Sequence, residues 1–173
     1  MRRLPASLAP IVLVPALIVL ALALPGLAPA QDGDLRPGFR GLAWGSPVSA
    51  LPGASLLRGG GVMDYYTRDG DDPTFAGVPL YSIRYGFVAG RLGYIGLVYA
   101  DPTKTKTLAD HLTLLYGRPT TAPATGPNAG VMTWEAAPLT IELVFDQAQS
   151  LGFVHIFHRP AMDAIGAGLA PEK

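Results

Sequence analysis

Apolar and polar side chains alternate most cleanly over Leu80 to Phe87. Tyr81, Ile83, Tyr85 and Phe87 fall on one face there, and Ser82 and Arg84 on the other. Ala89-Gly90 supplies a turn into Leu92 to Ala100, where Ile95, Leu97 and Tyr99 oppose Tyr94, Gly96 and Val98. Both faces of this second strand are apolar, which predicts a central place in a sheet. Further strands are expected at Phe39–Trp44, Ser55–Arg58, Val62–Thr67, Val131–Glu135, Leu139–Asp146 and Leu151–His158, with Gly59-Gly60-Gly61 as a bend or bulge. Asp101-Pro102 pairs a capping carboxylate with a proline at the first helical position. Leu108, Leu112 and Leu115 then follow at helical spacing before Gly117 and Pro119 end the run. Ser46-Pro47 gives a weaker copy of the same signal, ended by Gly53. The order strand, cap, proline, helix, strands therefore occurs twice. These elements predict an α+β fold: one antiparallel sheet of about six or seven strands, one main helix on one face, and a short N-terminal helix.

The first thirty residues follow a different pattern. Arg2 and Arg3 precede an apolar run from Ile11 to Leu24, and Ala28-Pro29-Ala30 stands just ahead of Gln31. This is the charged, apolar and small-residue order of a secretory signal peptide. The run, at about fourteen residues, is short of the roughly 20 needed to span a bilayer. We therefore divide the chain into a signal peptide over 1–30, a flexible lead over 31–38, a single globular domain over 39–158 and a C-terminal tail over 159–173. No permanent membrane span is expected after cleavage, and the location is periplasmic or secreted.

Composition narrows the function classes. The 173 residues include 13 Lys+Arg, 13 Asp+Glu and no Cys. Without the leader, eleven basic residues (13 less Arg2 and Arg3) face all 13 acidic ones, a net charge near −2. No basic stripe is present, so nucleic acid is not an expected partner. The lack of cysteine removes thiolate catalysis, disulfides and Cys-ligated metals.

Three short segments are suggestive together: Phe39-Arg40-Gly41-Leu42-Ala43-Trp44-Gly45, Tyr85-Gly86-Phe87, and Leu115-Tyr116-Gly117-Arg118-Pro119. With them the chain resembles a set of small exported bacterial proteins that carry an N-terminal F-R-G-x-x-W-G segment. The resemblance spans about residues 39–158. It implies an exported globular domain and carries over no catalytic residue.

Candidate chemistry is sparse. Glu142 and Asp146 share a strand face, but four residues of strand separate their Cα atoms by about 13 Å, beyond the about 5–9.5 Å that a glycosidase pair uses. His155 and His158 fall on opposite faces of one strand, so they do not form a metal pair by themselves. His155 shares its face with Leu151, Phe153 and Phe157, as a semi-buried histidine would. Asp69, Asp71 and Asp72 surround Gly70 and form the candidate metal residues, although they lack the ligand spacing of an EF-hand. Among the aromatics, Trp44, Tyr66, Tyr94 and Trp134 are the candidate ligand-binding residues, with core packing as the competing role. No cofactor is expected.

The reading that follows is an exported, non-catalytic domain that binds a protein partner or a cell-envelope component, for which an exposed sheet edge would serve. An envelope hydrolase whose acidic and histidine residues converge from separate loops is an alternative. A small-ligand or calcium-binding protein is another.

Overall fold

Two apolar faces on one strand call for cover on both sides, and the chain folds around that need. In the computed structural model, residues 33–121 and 130–167 are described. Seven strands form one antiparallel sheet: β1 (Ala54–Arg58), β2 (Asp64–Arg68), β3 (Ser82–Val88), β4 (Arg91–Tyr99), β5 (Met132–Ala136), β6 (Leu139–Asp146) and β7 (Leu151–His158). Their spatial order is β1-β2-β3-β4-β7-β6-β5. The strand expected at the centre is the central strand. Two three-stranded meanders, β1–β3 and β5–β7, flank it. The leader lies outside the described residues.

The β3–β4 hairpin turns through Ala89 (φ 48) and Gly90 (φ 73). Two successive positive φ angles are what a tight hairpin requires to match the strands' twist. Within β4, Leu92 pairs with Phe87 and Tyr94 with Gly86, which leaves Gly93 as an extra, unpaired residue. This bulge turns Leu92 onto the same face as Ile95, Leu97 and Tyr99.

Helix α1 (Thr105–Tyr116) carries the chain from β4 to the far edge of the sheet. Asp101 caps the preceding turn, accepting from Thr103 N at 2.9 Å, and Pro102 follows it. Gly117 (φ 83) ends the helix by donating to Thr113 O. Leu108 and Leu112 are fully buried, while Leu114 is 83% exposed. The second cap-and-proline signal yields less: only a single 3-10 turn, Val48–Ala50, with no side-chain cap. Here Gly45 and Ser46 are pinned to β4 instead, through Gly45 N to Leu92 O and Leu92 N to Ser46 O, both 2.9 Å.

The core lies between one face of the sheet and a layer made of α1 and two small ladders, Gly38–Phe39 with Leu42–Ala43 and Thr74–Phe75 with Val78–Pro79. Phe75 meets the ring of His111 on α1 edge-on, at 5.5 Å between centroids, and Phe39 contacts Tyr85. Phe39–Trp44, expected as one strand, instead doubles back as the first of these small ladders, turning through Arg40 (φ 49) and Gly41 (φ 79). Three other segments differ from their sequence reading. Leu35, inside the expected flexible lead, is buried, and its N–H donates to Tyr116 Oη at 2.7 Å. Residues expected as a tail form helix α2 (Arg159–Gly166), with Pro160 in its first turn. Tyr81, placed on the inner face by alternation, stands before the strand begins and is 76% exposed. Among the described residues, no helix is long and apolar enough to cross a membrane.

Packing of α1 against the sheet gives a direct test. Leu112→Ala should cost about 2–5 kcal/mol, whereas Leu114→Ala should stay within about 0.5 kcal/mol. Urea unfolding of the two variants measures the contrast, and equal losses would mean that α1 does not pack by this face.

Candidate functional site

The four aromatics singled out from the sequence do not come together. Trp134 is 1% exposed beneath the sheet, where its indole N–H donates to Gly117 O at 3.0 Å. Trp44 donates to Leu35 O at 2.8 Å and stacks on His158 with 5.5 Å between ring centroids. Tyr66 packs edge-on against Phe87 on the inner face. Tyr94 alone of the four lies on the opposite, outer face. Among the described residues, no ring contact joins any two of them. Strand alternation explains the outcome, because Trp134, Tyr66 and the core residues of β3 share one side of the sheet.

The three aspartates are likewise divided. Asp71 is the hub of an inward network. It takes an ion pair from Arg40 at 3.0 Å and another from Arg68, and it accepts from Tyr85 Oη at 2.7 Å. The Arg40 side chain is only 4% exposed, and it also donates to Asp72 O and Thr74 O. Asp72 accepts from Thr74 Oγ1, while Asp69 remains exposed. Burial, with Asp71 next in effect, drives the Tyr85 hydroxyl pKa well above its ordinary value. This network fastens the loop between β2 and β3 to the sheet. Among the described residues, no group of three His, Cys, Asp or Glu converges to hold a metal ion.

Two surfaces are left open. The first is the outer face of the sheet, which α2 crosses at one end, with Ala161 and Met162 lying over Gly93. Beyond the helix, cross-strand pairing sets Arg84, Gly96, His155 and Glu142 in one row. The next row holds Ser82, Val98, Phe153 and Val144, and the row on the other side holds Tyr65, Gly86, Tyr94 and Phe157. The Tyr94 ring lies across the bare backbone of Gly96, where any Cβ would collide with it. From there Tyr94 Oη reaches His155 Nδ1 at 2.7 Å. His155 is stacked between Phe153 (5.7 Å, 4°) and Phe157 (6.0 Å, 26°), its same-face neighbours along β7. Burial first, and the Arg84 guanidinium second, lower the His155 pKa. The tautomer of the neutral ring sets which of Tyr94 Oη and His155 Nδ1 donates in this contact. Burial also raises the Tyr94 pKa, so this hydroxyl stays protonated.

The second open surface is the hairpin of β1 and β2 at the sheet edge. Leu56 and Leu57 are 60% and 55% exposed, and Val62 in the turn is 60% exposed. The pairing register slips between Leu56 and Arg58, so the strand bulges at Leu57. Beside these residues a cleft of about 460 Å³ is lined by Arg58, Gly59 to Val62, Met63, Tyr65 and Ile165 of α2. The opposite edge is partly covered, because Thr120 and Thr121 bond to Thr133 of β5.

The chain matches no protein-family model, no curated protein and no solved structure.

Two predictions come from this geometry. Asp71→Ala strands the enclosed Arg40 and should cost about 3–5 kcal/mol, read by urea denaturation; a loss no larger than that of Asp69→Ala would remove Asp71 as the anchor. The second concerns His155, whose folded pKa lies below the ordinary 6.5. The unfolded chain therefore binds the proton first as pH falls, so this contribution to stability is present above about 6.5 and is lost on acidification toward the lower folded value. NMR titration should find the His155 midpoint below 6.5, and Arg84→Gln should move it upward; an unmoved midpoint would show that Arg84 does not act on the ring.

Proposed function

We propose that the chain is an exported, non-catalytic domain that binds a protein partner or cell-envelope component through the β1–β2 hairpin. The observation that carries the reading is the group of Leu56, Leu57 and Val62 at the free sheet edge, each more than half exposed. Apolar side chains gathered at an otherwise polar surface mark interaction sites. The bulge at Leu57 interrupts the row of free backbone groups, which limits simple addition of a long strand. The hairpin therefore offers side chains first: leucines at the rim, and the adjoining cleft beside Met63 and Tyr65 for an anchor from the partner. Export is supported by the order of the leader, Arg2-Arg3, the Ile11–Leu24 run and Ala28-Pro29-Ala30. On this reading, cleavage leaves Gln31 as the first residue of the working protein.

A photo-crosslinking amino acid placed at Val62 in cells should give a discrete protein adduct in the envelope fraction. The same probe at Leu114, exposed on α1 away from the hairpin, should not. The proposal fails if the two positions give the same adducts or if neither gives any.

A further inference from the structure

The cleft beside the β1–β2 hairpin joins an exposed cation to an apolar wall. Arg58 takes part in none of the five ion pairs among the described residues, and its side chain is open to solvent. It lines the cleft of about 460 Å³ next to the glycine turn. In that turn Gly60 N–H donates to Asp64 Oδ1 at 3.1 Å, which ties the loop back to β2. The N–H groups of Gly61 and Val62 have no acceptor among the described residues. The wall comes from two elements. Met63 lies over the bare backbone of Gly86, and the Tyr65 ring is braced edge-on by Tyr94 at 5.8 Å and 90°. Ile165 is brought in from α2.

We infer that this cleft takes the C-terminal residue of a partner peptide, with the terminal carboxylate on Arg58 and an aromatic final side chain among Met63, Tyr65 and Ile165. The inference rests on the hairpin reading above and gives the partner its chemistry. A guanidinium presents paired donors that match the two oxygens of a carboxylate. An exposed pair of this kind is screened by water and contributes little alone, so the same residue must also bury apolar surface. The volume suits that: it falls in the about 300–1,000 Å³ range of small-ligand sites, room for one large residue rather than a folded surface. The orientation follows from α2, whose C-terminal end adjoins Ile165. The negative end of a helix dipole opposes a carboxylate, so the side chain points toward Ile165 and the charge toward Arg58. A chain end also fits the edge. The bulge at Leu57 interrupts the row of free backbone groups, and a peptide that terminates here has no onward strand to pair.

Three peptides are the probes, titrated into the full chain and followed by amide NMR shifts: acetyl-Ala-Ala-Phe as the free acid, the same peptide as its C-terminal amide, and acetyl-Ala-Asp-Phe amide. The free acid should give saturable shifts centred on Arg58, Gly61, Met63, Tyr65 and Ile165, with the amide at least about 5-fold weaker. The aspartyl amide, which carries its charge in a side chain, should bind no better than the plain amide. Arg58→Gln should bring the acid down to the level of the amide and leave the amide unchanged. Arg118→Gln, at an exposed site beyond α1, should behave as the parent chain. Because the acid and amide are compared on the parent chain, the test stands even if a variant does not fold. Equal binding of acid and amide, an aspartyl amide that matches the acid, or no saturable shift at the cleft would each overturn the inference. The crosslink at Val62 separates this from the broader reading: an adduct there alongside any of those results removes the C-terminal preference and keeps the hairpin as a docking surface.

Discussion

The structure depends on a single strand being covered twice. Nearly every residue of β4 is buried, so the sheet must extend on both sides of it and each of its faces must meet something apolar. On the inner face the cover is conventional: α1 and the two small ladders close over Ile95, Leu97 and Tyr99. On the outer face it is improvised from α2 at one end and from the strands' own aromatic rings elsewhere. The open face is aromatic because its central strand has no second layer to hide beneath.

That arrangement divides the labour between the two sides. The inner face is sealed, and its polar residues, such as Asp71 with Arg40 and Arg68, are spent on fastening a loop. The outer face keeps its rings half-buried. A sheet only partly covered on its second side presents a stiff platform there, since hydrogen bonding to both neighbours holds β3, β4 and β7 in place. Side chains in rows on such a platform keep their spacing.

Much of the fold was legible along the chain, and the reasons are local. Leu139–Asp146 and Leu151–His158 were bounded to the residue, because alternation is regular and turn-forming segments flank both. The centrality of Leu92–Tyr99 was readable from its two apolar faces. What escaped was non-local. Nothing in the sequence says that β7 returns to pair with β4, so the row of Arg84, Gly96 and His155 could not be assembled, although each residue had been placed on a strand face. Asp71 meets Arg40 from 31 positions away, and without that contact an acidic turn looks like a calcium loop. The C-terminal helix did leave a signal, Pro160 just after a strand end with Met162 and Ile165 at helical spacing, but small residues obscured it. Aromatic residues were the least legible of all, because a ring packed in the core and a ring open to a ligand have the same sequence.

The rings laid over glycine have a consequence for how this chain can change over time. Tyr99 occupies the space above Gly152, its cross-strand partner, and Tyr94 covers both Gly86 and Gly96. In each case the larger residue sits where the smaller one has no side chain, so the two form a single volume divided unequally between neighbours. A mutation that enlarges the glycine first meets the ring, whereas one that trims the tyrosine first leaves a gap that a later enlargement can refill. Evolutionary paths through these positions therefore have a direction: the tyrosine must yield before the glycine does. Descendants of this chain would be expected to inherit each pair together or to have exchanged it in that order.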